Sequence, residues 1–135
     1  MPVNRRTMLQ GFVAAIVSSP ALARDIDLGE YWDVEEVSVS GNRRFRGRWT
    51  RTGSISFAMA VRDNVSGDIV RDTIEYAGIQ DNMITLLRRS LGEYHGTVSA
   101  DGRSIRGTAT WYTPVDYWVA RIQYGEPGSE ELQAL

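Results

Sequence analysis

From Tyr31 to Tyr124 apolar and polar residues alternate with a period of two, and clusters of Gly, Asn, Asp and Pro interrupt the alternation about every dozen residues. No part of this span spaces its apolar residues as an amphipathic helix of useful length would. The pattern predicts strands over 31–40, 43–52, 54–62, 69–78, 83–91, 93–100, 103–113 and 117–124. Turns are expected at Gly41-Asn42, Thr52-Gly53, Asn64 to Asp68, Gln80 to Asn82, Gly92, Asp101-Gly102 and Pro114 to Asp116. The expected fold is all-β: an eight-stranded antiparallel up-and-down (meander) barrel, in which closure removes the exposed sheet edges.

Two hairpins can be set in register. Asp101-Gly102 reads as a type I′ turn, which places Ala100 opposite Arg103, Val98 opposite Ile105, Gly96 opposite Gly107 and Tyr94 opposite Ala109. Val98, Ile105, Gly96, Gly107, Tyr94 and Ala109 share the inner face, while His95, Thr97, Ser99, Ser104, Arg106 and Thr108 face out. Two glycines directly opposed leave space that bends the sheet or admits a neighbouring ring. A two-residue Gly41-Asn42 loop would place Ser40 opposite Arg43 and Glu35 opposite Arg48, with Trp32, Val34, Phe45, Gly47 and Trp49 inside. The arginine-rich run at 43–51 then reads as a solvated face whose cations meet Asp33 and Glu35, rather than as a nucleic-acid stripe with stacking rings.

The inner positions collect Trp32, Val34, Phe45, Trp49, Ile55, Phe57, Met59, Val61, Ile74, Tyr76, Tyr94, Val98, Ile105, Trp111, Trp118 and Ile122, so all four tryptophans fall inside. Gly47, Gly96, Gly107, Ala109 and Ala120 separate these bulky groups. An eight-stranded barrel is just wide enough to be filled by side chains or to hold one small ligand. A filled core and an apolar pocket near one mouth therefore both remain open.

The N-terminus changes the picture of where such a barrel would work. Asn4-Arg5-Arg6-Thr7-Met8-Leu9-Gln10 precedes an apolar stretch from Gly11 to Val17 and the small-residue segment Ser18 to Ala23. That order is the pattern of an export signal, and the apolar part is shorter than the roughly 20 residues a bilayer span needs. The adjacent arginines followed by Met-Leu-Gln resemble a twin-arginine translocation signal. The expected organisation is a signal at 1–23, a barrel domain at 24–125 and a C-terminal tail at 126–135. Such a protein would be periplasmic or secreted, with no membrane span once the signal is removed.

Of 135 residues, 15 are basic, all of them arginine, against 17 acids. Cleavage after Ala23 would leave 13 arginines and the same 17 acids, a mildly acidic product. No nucleic-acid partner is expected from that balance. The chain has no cysteine and one histidine, His95. Disulfides, thiolate metal sites and thiol nucleophiles are excluded, and no cofactor or metal is assigned. His95 alternates onto the outer face, away from any pocket. Glu35 and Glu36 point to opposite faces, so they cannot flank one bond. Glu36 faces inward near Gly47, where burial would favour its neutral form unless an arginine such as Arg51 or Arg121 pairs with it. No residue is assigned a catalytic role.

Residues 28–34, Leu-Gly-Glu-Tyr-Trp-Asp-Val, resemble the opening Gly-x-Trp strand of lipocalins, with Gly29 and Trp32 one residue further apart. Trp118 followed by Arg121 is similar to the late-strand basic residue that in lipocalins covers the first tryptophan. Gly47-Arg48-Trp49-Thr50 with Gly53-Ser54, and the repeated Gly96-Thr97 and Gly107-Thr108, are similar to avidin-like barrels. The run from Tyr94 to Trp111 also resembles small exported bacterial barrel proteins. Both named families are calycins, meander barrels that mostly bind small molecules in the mouth. The resemblance implies a lipocalin/avidin-like barrel that binds a small apolar or aromatic ligand through Trp32, Glu36, Trp49, Tyr94, Trp111, Trp118 and Arg121. Two other readings stand beside it: a protein-interaction module such as a protease inhibitor, and a small barrel isomerase using Glu36. The pattern does not specify an oligomeric state.

Overall fold

The computed structural model describes residues 26–125; the expected signal at 1–23 and tail at 126–135 lie outside the described residues. The described chain forms β1 (Tyr31–Ser38), β2 (Arg43–Arg51), β3 (Ser56–Asp63), β4 (Ile69–Gln80), β5 (Met83–Arg88), β6 (Gly92–Val98), β7 (Ser104–Ala109) and β8 (Tyr117–Gln123). Each strand pairs antiparallel with the next, and β8 pairs with β1, so the meander closes into an eight-stranded barrel. This architecture is compatible with a calycin-like fold.

Alternation along the strands builds the interior. Trp32 and Trp49 are cross-strand partners stacked at 5.5 Å, and Trp49 stacks on Trp118 at 5.8 Å. Phe57 and Tyr94 pack tilted against this column. All five rings are fully buried. Pairs in these geometries contribute about 0.5–1.5 kcal/mol each beyond the area they bury. The indoles of Trp32 and Trp118 donate to the carbonyls of Leu28 and Thr108, both at 2.8 Å, so two of the three polar handles are satisfied inside the core.

Of the two expected uses of the opposed glycines, the structure shows one, space for a neighbouring ring, and adds a close approach of the strands. A methyl at Gly96 would meet Ile105 and the Trp118 ring, so Gly96 makes room for that indole. A methyl at Gly107 would instead strike the His95 carbonyl and the Gly96 backbone, so Gly107 permits close approach of the two strands.

Local details depart from the sequence reading in four places. In the first hairpin Ser38 opposes Arg43 and Asp33 opposes Arg48, two residues away from the expected register. The loop spans four residues, closed by Asn42 N–H donating to Val39 C=O at 3.2 Å with Asn42 at φ 51°. A slip of two preserves which side chains face in, so the inner face survives the error. The β6–β7 register is as expected, but the turn is not type I′: Gly102 N–H donates to Ser99 C=O, and Gly102 has positive φ while Asp101 does not. Asp101 is held otherwise, its Oδ1 accepting from Ser99 Oγ at 2.6 Å and from Arg103 N–H at 3.0 Å. The pair with both residues at positive φ is Asp81-Asn82, between β4 and β5.

The expected strand at 103–113 stops at Ala109, because the chain from Thr110 to Asp116 folds as a loop that carries Trp111 and Tyr112. Ile55 is 42% exposed rather than internal, since β3 begins only at Ser56. Gly107→Ala is expected to lower stability by about 1–3 kcal/mol through this overpacking. Thr108→Ala on the exposed face should stay within about 0.5 kcal/mol. Urea unfolding of the two variants tests the difference.

Candidate functional site

The aromatic column fills one half of the barrel. At the other end a cavity of about 500 Å3 opens between the β1–β2 turn, the β7–β8 loop and Leu91. Its apolar wall includes Phe45 from β2, Met59 and Val61 from β3, Val70 from β4 and Trp111 from the β7–β8 loop. Buried Glu36 and Arg88 and half-buried Tyr112 form its polar floor, and buried Asp116 lies at its rim.

The polar floor is a connected network. The Tyr112 hydroxyl donates to Glu36 Oε1 at 2.6 Å, and the Tyr94 hydroxyl donates to Glu36 Oε2 at 2.9 Å. Arg88 Nη1 donates to the Tyr94 oxygen at 3.2 Å and lies 3.8 Å from Glu36 Oε2. Arg88 Nε donates to Asp72 Oδ2 at 2.9 Å, and Ser90 Oγ donates to that same oxygen. Glu36 and Arg88 are 6% and 9% exposed, so this is a buried ion network whose members must satisfy one another.

The protonation states follow from these partners. Burial, with the Glu36 carboxylate next in importance, pushes both Tyr94 and Tyr112 phenols above their ordinary value and keeps them as donors. Burial opposes ionisation of Asp72, but Ser90, Arg88 and the Thr73 N–H outweigh it and hold Asp72 below the usual aspartate value. Burial likewise disfavours the Arg88 cation, and the neighbouring Tyr94, Asp72 and Glu36 more than restore it.

The rim is tied by one buried carboxylate. Asp116 Oδ1 accepts from Val39 N–H at 2.9 Å, and Oδ2 accepts from Thr113 Oγ1 at 2.7 Å. The Thr113 hydroxyl bond is the main reason that Asp116 also lies below its ordinary value. This bridge fixes the β7–β8 loop against the β1–β2 turn, which holds Trp111 and Tyr112 over the mouth.

The residues expected to share a ligand site separate into three groups. Glu36 and Trp111 line the cavity, and Tyr94, fully buried and outside the lining, supports them: it meets Trp111 edge to face at 4.9 Å and donates to Glu36. Trp32, Trp49 and Trp118 belong to the packed column and do not line the cavity. Arg121 is exposed on the outer wall opposite Asp33 and Ser104, so it does not cover Trp32, whose side chain points in. Arg51 does not pair with Glu36 either; its Nη1 donates to the Gly29 carbonyl at 2.7 Å. Arg88 takes the place that the sequence reading gave to Arg51 or Arg121.

Arg88, Asp72 and Tyr112 were not among the expected site residues. Period-two alternation carries a signal for the first two, since Ile84, Leu86 and Arg88 share one face of β5, as Val70, Asp72 and Ile74 do on β4. Tyr112 has no such signal, because it lies in a loop. His95 sits on the outer wall, with Nε2 at 3.1 Å from Glu93 Oε1. Among the described residues no three of His, Cys, Asp and Glu converge as metal ligands would.

Arg88→Met removes the cation that pairs with both Glu36 and Asp72 and should cost about 3–5 kcal/mol, read from urea unfolding. Acid sensitivity has a definite sign. Asp72 and Asp116 lie below the ordinary aspartate value of 3.8 in the folded chain, so the unfolded chain binds more protons as pH falls. Their stabilisation is complete above that value and lost as pH drops through the lower folded values. Urea midpoints should therefore decline below about pH 4, with a shallower decline in Asp116→Asn.

No protein-family model, no curated protein and no solved structure matches this chain.

Proposed function

We propose that this protein is an exported, calycin-like binding protein that holds a small apolar or aromatic molecule in the barrel mouth. The observation that carries this reading is the cavity of about 500 Å3, with apolar walls around a buried Glu36–Arg88 floor. Its size lies within the roughly 300–1,000 Å3 usual for small-ligand pockets, which pair apolar walls with a few placed polar groups. The filled half of the barrel serves as a rigid base for it. Trp111 and Phe45 would contact the ligand body, and Arg88 would donate to one acceptor on its head. Periplasmic or secreted placement rests on the signal-like N-terminus.

Binding is favoured over isomerase chemistry by the state of Glu36. Both of its oxygens accept phenol hydrogen bonds, from tyrosines that burial and Glu36 itself keep protonated. A general base is most effective with a free lone pair aimed at the proton it removes. Here Glu36 orders the floor.

The neutral fluorescent probe N-phenyl-1-naphthylamine tests the site on the full chain. Saturable uptake is expected, about tenfold weaker or more in Trp111→Ala, as for loss of a buried aromatic anchor, and abolished in Val70→Trp, which fills the cavity. Native mass spectrometry of protein taken from the cell envelope should also show a bound small molecule. A chain that is always empty and takes up no probe would overturn the reading.

A further inference from the structure

The outer wall carries a second concave feature, unconnected with the mouth. A groove of about 1030 Å3 crosses β3, β2, β1, β8, β7 and β6, lined by Arg44, Arg46, Arg48, Arg62, Arg106 and Arg121 against only Asp33 and Glu35. Six of the 12 arginines among the described residues therefore meet two of the 13 acids, a local balance of +4 on a described chain of net -1. Barrel closure creates this concentration. The sequence reading matched the β2 arginines to the β1 acids, and Arg44 and Arg48 do pair with Glu35 and Asp33 at 3.0 and 3.2 Å. Pairing of β1 with β8, and of β2 with β3, then adds Arg121, Arg106 and Arg62, which bring no further acids.

Three of these guanidinium groups are poorly neutralised. Arg46 reaches Glu35 only at 4.0 Å, with 77% of its side chain exposed, and stands directly opposite Arg62 on the neighbouring strand. Like charges in that position destabilise a sheet. Arg121 and Arg106 are exposed and make no ion pair among the described residues; Arg106 lies flat over the Tyr117 ring at 4.2 Å. Arg106 and Arg121 sit on a cross-strand diagonal, about 7–8 Å apart. Arg46 is three strands from Arg106, roughly 14 Å along the wall. An extended ligand with repeating negative charges would meet all three.

The surroundings narrow the chemistry of that ligand. Among the described residues no aromatic ring lines the groove, and the rings beside it, Tyr31 and Tyr117, are covered by Arg48 and Arg106, so no platform is left for stacking nucleic-acid bases. The barrel is closed, so a peptide finds no free strand edge to extend by main-chain hydrogen bonds. The neutral polar side chains along the groove, Asn64, Thr97, Ser99 and Ser104, suit hydroxyl-bearing partners. From these observations we infer that the groove binds a linear anionic polysaccharide, whose stiff backbone presents sulfate or carboxylate groups to Arg46, Arg106 and Arg121. Bidentate pairing with oxyanions is the geometry for which arginine is suited.

The test uses the full chain on immobilised heparin at pH 7.5 and low salt. With a sequence pI near 5.4, the protein carries net negative charge there, so only a local basic surface would retain it. Retention is expected, weakening with a log–log salt slope between about -2 and -3, as for release of roughly three counterions. The triple variant Arg46→Gln/Arg106→Gln/Arg121→Gln should flow through, with unchanged thermal unfolding and unchanged uptake of N-phenyl-1-naphthylamine. Unretained wild-type protein, or a triple variant retained as strongly as wild type, would overturn the proposal. So would a DNA duplex or poly-glutamate competing as well as soluble heparin at equal charge concentration. Because the probe reports the mouth and heparin the wall, failure of one reading is distinguishable from failure of the other.

Discussion

The ladder between β1 and β8 is the contact from which the other features follow. It turns an open meander, with two exposed edges, into a closed wall whose backbone groups pair around the whole circumference. Through it Trp118 reaches the column begun by Trp32 and Trp49, which gives the interior its rigid half. The same ladder brings Trp118 opposite Glu36, and so sets the boundary at which aromatic packing gives way to the polar floor. On the outside it places Arg121 beside Asp33 and completes the basic groove.

The two halves of the interior solve the same spatial problem differently. In one, large rings are accommodated by glycines and all space is used. In the other, inward residues of β4 and β5 are charged, and Asp72 and Arg88 must be compensated where Ile or Leu would simply pack. Burying such a network costs desolvation that good geometry only partly returns, so apolar replacements of similar volume are often equally stable. Under the proposed binding role, its place beneath a cavity serves recognition rather than stability. Asp116 extends the same logic to the rim, since a single carboxylate holds two loops in the arrangement that keeps the mouth open.

Much of the architecture was legible in the alternation of the chain. Strand number, meander order, the β6–β7 register and the inward direction of Trp32, Trp49, Trp118 and Glu36 all follow from period two and turn composition. Turn geometry was less legible. Asp101-Gly102 has the composition of a type I′ turn, but hydrogen bonds from Ser99 and Arg103 to the Asp101 carboxylate favour another loop with the same register. Asp81-Asn82 adopts positive φ at both positions without a glycine. The first hairpin slipped by two residues because a four-residue loop leaves the same faces inside as a two-residue one.

What the sequence determined by itself is therefore the side of the wall on which each strand residue lies, since the pleat makes that a local property of the backbone. What only the tertiary structure decided is which of those residues meet. Arg88 finds Glu36 from 52 positions away in the chain, Tyr112 finds it from a loop that alternation cannot describe, and the groove gathers arginines from four strands. Such meetings depend on closure, register and loop path, which are set by the summed packing of the whole barrel and by no segment alone.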